Sequence, residues 1–167
     1  FDLEVNLPNQ KKIILKSLKI PLIGIHNIKN CCASIAVAML MGISNDLIKK
    51  SILEFKGVQR RFNFIFQHNK SIYYDDYAHH PTEIYELLKS TRDVFKSKKI
   101  VSIFQPHRVS RLNFLKERFT KCFKFADQVV LCPVYKAGEN IKLKFNYTKF
   151  AKEIIKNSNV DLIMINS

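Results

Sequence analysis

The chain is poor in glycine, in proline, in acidic side chains and in long hydrophobic runs. Four glycines and five prolines among 167 residues are too few for a linker or a low-complexity protein. The longest apolar run, residues 33–43, contains Ser34 and Gly42 and has about half the length that a membrane-spanning helix of roughly 20 residues needs. We therefore expect a globular protein without a membrane span, large enough for one domain or one domain and part of another.

Cysteine pairs of the C-x-x-C type are also missing. Cys31 and Cys32 are neighbours in a helical pattern, and Cys122 and Cys132 stand alone. This spacing indicates neither a zinc site nor a disulfide framework, so reduced thiols in a cytoplasmic protein are the simpler interpretation. A secretory signal is not visible and the chain begins with Phe1, from which we expect a fragment or a processed chain.

Acidic residues are half as numerous as basic ones, and the formal net charge is +14. Such a charge raises the hypothesis of nucleic-acid binding. The 22 lysines and six arginines are scattered, however, without a basic run or a recognised nucleic-acid motif. A diffuse solvated surface is therefore favoured over a specific nucleic-acid site, and a basic nucleic-acid-binding domain is kept as an alternative.

The first part of the chain reads as a hairpin followed by a helix. Residues 1–21 form two strand-like runs around the turn signal at Pro8 and Asn9. Residues 28–40 are apolar nearly all round and predict a buried helix. Asn27 is a competent N-cap for that helix, or its side-chain amide could bind a ligand such as an adenine ring.

The composition changes near residues 56–58, where we place a domain boundary. Residues 45–55 predict a short amphipathic helix, and Gly57 ends it. Arg60 and Arg61 follow directly. They are either an exposed pair in a turn or guanidinium groups that face an interdomain cleft and bind phosphate oxygens.

After the boundary, strands and helices alternate, which predicts an α/β fold with a mostly parallel sheet. A hairpin over residues 62–74 comes first, and its second strand, residues 71–74, begins the alternation. The further strands are expected at residues 99–104 and 128–132, both buried, and at residues 160–165. The helices are expected at residues 83–95, 112–123 and 147–156. Pro81 suits the first turn of the first of these helices, and Glu83 complements its positive end.

Three polar loops, DDYAHHP, QPHRVSR and PVYKAGE, each follow one of these strands. Loops after parallel strands emerge at the same edge of a sheet, so their side chains should be neighbours on one rim. Two arginines there favour an anionic ligand. A capped turn and a metal site built from histidines and aspartates remain alternatives. The expected rim residues are Asp75, Asp76, His79, His80, His107, Arg108, Arg111 and Glu139.

Five motifs, in this order, resemble the Mur ligase family: HNIKN, FKGVQRRF, DDYAHHPTE, FQPHRVSR and VYKAGE. The resemblance covers most of the chain, and DDYAHHPTE together with FQPHR-x-x-R is its most specific part. Within the family it resembles the members that join L-alanine to UDP-N-acetylmuramate. The resemblance implies that residues 1–56 are the C-terminal part of a P-loop ATPase-type central domain. It also implies that residues 57–167 are a Rossmann-like C-terminal domain that lacks its last strand.

The resemblance also implies a reaction in peptidoglycan precursor synthesis. ATP and Mg²⁺ would serve to phosphorylate the muramoyl carboxylate, and the amine of L-alanine would attack the acyl phosphate. ADP and phosphate would leave. Catalysis of this kind rests on positioning and on neutralising the charge of the transferred phosphoryl group.

Site residues follow from the resemblance, position by position. Asn27 and Asn30 would lie beside the adenine, Arg61 would reach the nucleotide, and Asp76 would bind its ribose hydroxyls. The substrate-binding residues implied for the amino acid and the charged end of the muramoyl substrate are His79, Arg108 and Arg111. Three further residues match the motifs without an assigned role: Asp75, His80 and Glu139.

Parts of the family pattern are absent from the sequence. The G-x-x-G-K-[ST] phosphate loop, the magnesium ligands of the central domain and the UDP-binding domain are not present. We therefore expect no metal site in this chain and an activity that depends on the missing N-terminal and central portions. The alternative is a non-catalytic binding module of the same fold.

Overall fold

The computed structural model describes residues 1–6, 12–139 and 145–165, which form an α/β fold around two hydrophobic cores. The elements in chain order are β1 (Leu3–Val5), β2 (Ile13–Leu15), α1 (Ile25–Leu40), α2 (Asn45–Glu54), β3 (Asn63–His68), β4 (Ser71–Asp75), α3 (Pro81–Val94), β5 (Val101–Phe104), α4 (Val109–Phe114), α5 (Lys116–Lys121), β6 (Gln128–Leu131), α6 (Tyr147–Ser158) and β7 (Asp161–Met164). Among the described residues, no helix combines the length and apolar character needed to cross a bilayer.

The N-terminal core is built by the first hairpin and the first two helices. Strands β1 and β2 pair antiparallel, with Leu3 opposite Leu15, which confirms the predicted hairpin. The turn predicted at Pro8 and Asn9 lies outside the described residues. Helix α2 ends one residue before the predicted end. The buried residues of this core are Val5, Leu15, Leu18, Cys31, Ile35, Met39 and Ile48.

Helix α1 differs from the prediction in two ways. It begins at Ile25, with Gly24 as its N-cap, so the prediction that Asn27 caps the helix is wrong. Asn27 lies inside the first turn, where its Nδ2 donates to the carbonyl oxygen of Ile23 at 2.7 Å. The helix is also not buried all round, because only one stripe of apolar side chains faces the N-terminal core, while Val37 is 56% exposed.

Gly24 brings the start of α1 close to α3. Its φ of +94° lies in the left-handed region that side chains disfavour, and a Cβ there would lie 2.5 Å from the Oγ of Ser90. Ser90 is buried on α3. A residue with a side chain at position 24 would therefore be strained and would force the side chains of Ser90 and His26 to move.

The second hairpin stands apart from the parallel sheet. Strands β3 and β4 pair antiparallel in a two-stranded sheet, so the prediction that residues 71–74 form the first strand of the parallel sheet is wrong. The connection between them is short, with Asn69 at a φ of +52°, and a tight turn of this kind joins antiparallel strands. Stacked aromatic pairs such as Phe66 and Tyr73, with ring centroids 4.2 Å apart, hold the hairpin together.

The parallel sheet has the order β5-β6-β7, which confirms the predicted α/β class. The central strand β6 buries Val129 and Leu131 completely against the C-terminal core, to which α6 contributes Phe150 and Ile154. Residues 99–104 were predicted to form a buried strand, but only one face of β5 is buried. The strand lies at the edge of the sheet, and Ile103 on its other face is 70% exposed.

The predicted helix at residues 112–123 is two short helices, α4 and α5. The helix begins earlier than predicted, at Val109, and is interrupted at Leu115, whose φ of −109° and ψ of 17° are not helical. Leu115 packs against the C-terminal core. The break therefore accompanies the packing of Leu115 against the core. The spacing of apolar residues continues through it, so the sequence does not predict it.

Candidate functional site

A cleft of about 790 Å³ lies between the two cores. It is bounded by α1, by α2, by the connecting segment (residues 55–62) and by the start of α3. Its volume falls in the range typical of small-molecule sites. Apolar side chains such as Ile35 and Phe55 form most of the wall. The four residues predicted to bind a nucleotide all line this one cleft: Asn27, Asn30, Arg61 and Asp76.

His26 is a cleft residue that sequence analysis did not select. Its Nδ1 is buried in the described structure without a hydrogen-bond partner. Buried polar atoms are nearly always paired, so an unpaired one in a cleft wall marks a place where a polar ligand atom would fit. The position of His26 next to Asn27 in the HNIKN motif is the only sequence signal that could have identified it.

Asp76 fixes the polar loop after β4 to the segment that connects the two cores. Its Oδ2 accepts from the backbone N–H of Phe62 at 2.8 Å, and its Oδ1 accepts from that of Ala78 at 2.6 Å. A backbone bond joins the same two segments, because the N–H of Tyr77 donates to the carbonyl oxygen of Arg60 at 2.7 Å. Asp76 therefore has a structural task in addition to any contact with a ligand.

Glu83 lies between the cleft and the neighbouring loops. Its Oε2 accepts from the backbone N–H of His79 at 3.1 Å and of His80 at 3.2 Å, as in a capping box. Its Oε1 is 3.8 Å from Nη1 of Arg61, and its Oε2 is 3.7 Å from Nδ1 of His79. Burial by itself would raise the pKa of Glu83, but the two amide donors and the nearby cations lower it below its usual value.

The three polar loops meet at one rim beside the cleft, although β4 does not belong to the parallel sheet. The rings of His79 and His107 have centroids 6.5 Å apart, and His107 stacks on Tyr135 with centroids 5.4 Å apart. Nη1 of Arg111 donates to the carbonyl oxygen of His107 at 3.3 Å. Burial and the positive charges of Arg111 and Arg108 lower the pKa of His107. We call the whole set the rim cluster: His79, His107, Arg108, Arg111, Tyr135 and Glu139.

Arg108 occupies a strained position at the start of α4. Its φ of +75° is rare for a residue with a side chain and is held by a hydrogen bond from its N–H to the carbonyl oxygen of Tyr135 at 3.1 Å. Backbone strain of this kind clusters at functional sites. Glu139 fixes the facing loop, since its carboxylate accepts from the hydroxyl of Ser110 and from the Ser110 N–H. The hydroxyl of Ser110 lowers the pKa of Glu139 most, and the Ser110 N–H and the positive charge of Arg108 lower it further.

Asp75 and His80 lie at the borders of the site. Asp75 is 3.8 Å from Nε of Arg60, and the Asp75 and Arg60 side chains are 48% and 64% exposed. His80 is the N-cap of α3, and its Nδ1 accepts from the N–H of Thr82 at 3.3 Å. Nδ1 of His79 instead contacts the carbonyl oxygen of Tyr77 at 2.8 Å, so the two neighbouring imidazoles bind different partners.

A family model decides what kind of domain carries this site. The model described as "Mur ligase, glutamate ligase domain" matches residues 60–165, which is more than half of the chain. The chain belongs to the Mur ligase family.

Two relatives illustrate the similarity within the Mur ligases. A UDP-N-acetylmuramate–L-alanine ligase of Pelagibacter ubique (strain HTCC1062) is 56% identical over 165 residues, 99% of this chain and 36% of the relative. The enzyme of the same name from Bartonella tribocorum is 44% identical over 144 residues, 86% of this chain and 30% of the relative. The chain thus spans about a third of the length of the curated relatives that it matches.

Solved structures show the same fold. MurC from Thermotoga maritima, a UDP-N-acetylmuramate–alanine ligase, superposes with a TM-score of 0.67 and 31% identity over 95% of this chain and 32% of that chain. The murein peptide ligase Mpl from Psychrobacter arcticus gives a TM-score of 0.67 at 20% identity, over 99% of this chain and 34% of that chain. At this lower identity the likeness concerns the fold alone.

The groups that the Mur ligase resemblance implies can be tested against the site. The cleft fits an adenosine, because it combines an apolar wall, two asparagine side chains and the unpaired Nδ1 of His26. The described residues, 1–6, 12–139 and 145–165, do not provide a comparable site for Mg²⁺. Among them, no group of three His, Cys, Asp or Glu side chains could hold a metal ion. All four cysteines are free thiols.

Proposed function

We propose that this chain is the part of a UDP-N-acetylmuramate–L-alanine ligase that binds the adenosine of ATP and orients the incoming amino acid. The whole enzyme would use ATP to convert the muramoyl carboxylate into an acyl phosphate, which the amine of L-alanine attacks with release of phosphate. The reaction belongs to peptidoglycan precursor synthesis, which we assign to the cytoplasm. The observation that carries the proposal is a single cleft that contains all four predicted nucleotide residues and opens beside the rim cluster.

In the proposed nucleotide site, the adenine lies on the apolar wall of the cleft near Asn27 and Asn30. The side chain of Asn27 is already oriented by its hydrogen bond to the carbonyl oxygen of Ile23. Arg61 reaches the phosphates, for which a guanidinium group is well suited. Asp76 accepts from the ribose hydroxyls with the lone pairs that its two backbone donors leave free.

In the proposed amino-acid site, Arg108 and Arg111 bind the carboxylates of L-alanine and of the muramoyl substrate. His79 lies beside them with a defined tautomer. A carbonyl oxygen can only accept, so the contact of Nδ1 with the Tyr77 carbonyl requires a proton on Nδ1 and leaves the lone pair of a neutral imidazole on Nε2. His79 can therefore accept a hydrogen bond from the amine of the incoming amino acid through Nε2.

The division of labour along the chain is part of the proposal. Residues 1–56 are the end of the central ATP-binding domain, and residues 57–167 belong to the C-terminal domain. The N-terminal and central portions supply the phosphate loop, the Mg²⁺ ligands and the UDP-sugar site, so the ligase reaction depends on them. No step assigned to the residues of this chain passes through the metal.

Kinetics of the full-length ligase test the proposal. His79→Ala and Arg108→Ala should each lower kcat/KM for L-alanine or the muramoyl substrate by about 10- to 100-fold, which is the loss of one charge-assisted hydrogen bond. Lys152→Ala removes a positive charge from the exposed surface of α6 and is the matched control. Kinetics close to wild type for both site variants would remove the assignment. Nucleotide binding without any ligase activity would favour a non-catalytic module.

A further inference from the structure

We propose that Glu83 is a positioning residue that couples the cleft to the rim cluster, so that a nucleotide in the cleft changes the environment of His79. The inference rests on the proposed function, because it takes the nucleotide to bind in the cleft and the amino acid at the rim. From the sequence alone, Glu83 is expected only to complement the positive end of α3.

The geometry gives one carboxylate contacts on both sides. Glu83 lines the cleft, where its Oε1 lies 3.8 Å from Nη1 of Arg61. Its Oε2 lies 3.7 Å from Nδ1 of His79, and the same oxygen accepts from two backbone amides of the loop that carries His79. The two parts of the candidate site, separate in sequence, are therefore joined through a single anionic side chain.

The coupling follows from competition for Arg61. A distance of 3.8 Å is longer than a hydrogen bond, and the Arg61 and Glu83 side chains are 50% and 37% exposed, so the contact is weak and easily exchanged. Nucleotide phosphates offer Arg61 more negative charge and bidentate geometry. Once Arg61 turns to a phosphate, the His79 imidazole is the remaining side-chain partner of the Glu83 carboxylate, beside the two backbone amides. Nucleotide binding thereby strengthens the contact that orients His79.

The capping task of Glu83 can be separated from its charge. A capping box requires only an acceptor oxygen at this position, and glutamine supplies one as well as glutamate does. The contacts with Arg61 and His79 require the negative charge. Glu83→Gln should therefore leave the fold and the start of α3 intact while it uncouples the cleft from the rim.

Chemical shifts of the ¹⁵N-labelled full-length ligase, titrated with millimolar ADP, measure the coupling. In the wild type, amides of cleft residues such as Asn27 and rim residues such as His107 should shift with a common midpoint. In Glu83→Gln the cleft shifts should persist, whereas the rim shifts should fall to less than about a third of their wild-type size. Asp93→Asn, which removes a charge from an exposed position of the same helix, should retain both responses.

The possible outcomes test the nucleotide site and the coupling through Glu83 separately. Absence of cleft shifts in the wild type would overturn the nucleotide site, and the coupling with it. Cleft shifts accompanied by an unchanged rim response in Glu83→Gln would overturn the coupling alone. If that variant does not fold by circular dichroism, Arg61→Gln removes the same contact from its other side. A rim response that survives at saturating ADP in Arg61→Gln would then overturn the inference.

Discussion

Replacing Asp76 by alanine tests whether this carboxylate holds the site together in the absence of any ligand. The substitution removes the acceptor of two part-buried backbone N–H groups, those of Phe62 and Ala78. The bond from Phe62 joins the segment that connects the two cores to the loop after β4, and the bond from Ala78 lies within that loop. The neighbouring Asp75 provides a matched control, because it is also a carboxylate of this loop but contacts only the exposed Arg60 at 3.8 Å among the described residues.

The size of the effect follows from these contacts. A hydrogen bond to a charged group contributes about 1.5–3 kcal/mol, and the partial exposure of Asp76 favours the lower end for each bond. We therefore expect Asp76→Ala to lower the free energy of unfolding by about 2–4 kcal/mol, or Tm by roughly 4–16 °C for a chain of this size. Asp76→Asn keeps one acceptor oxygen and should lose about half as much. Asp75→Ala should cost about 0.5 kcal/mol or less, as an exposed ion pair does.

Urea denaturation of the isolated chain, followed by circular dichroism at neutral pH, measures these values. The slope of unfolding free energy against urea must stay constant across the variants for the comparison to hold. Equal losses for Asp76→Ala and Asp75→Ala would refute the reasoning, because the exposed neighbour lacks both amide donors. Asp76 would then be a ligand residue without a structural task.

Two further predictions concern charges outside the cleft. Burial would raise the pKa of Asp127, but the N–H of Ile100 at 2.6 Å and the guanidinium of Arg92 outweigh it and lower the pKa. The stabilisation is therefore complete above the unfolded pKa of about 3.9 and is lost as pH falls through the lower folded value. The difference in unfolding free energy between wild type and Asp127→Asn should shrink in acid, and a constant difference would contradict this. At the rim, Arg111→Gln should raise the pKa of His107 in NMR titrations, since a positive charge beside the imidazole is removed. An unchanged or lower pKa of His107 would contradict a contribution from the charge of Arg111.

Local sequence features predicted those elements whose stability is decided by their own residues. Proline at position 81 and the glutamate two residues later predicted the start of α3. The helix predicted at residues 147–156 is α6, which extends two residues further. The run QVVLC predicted the buried strand β6. The predictions failed where packing overrides the local pattern, as at Leu115, or where a strand pairs with a sequence neighbour rather than with the sheet, as in β4.

The sequence by itself determined the α/β class, the membership in the Mur ligase family and the polar side chains available for a site. Only the tertiary structure decided how those side chains are divided between the cleft and the rim cluster, and that Glu83 links Arg61 to His79. Periodicity and capping act over a few residues, so the sequence reports them directly. The site depends on loops that are distant in the chain and meet only when two separate cores have formed.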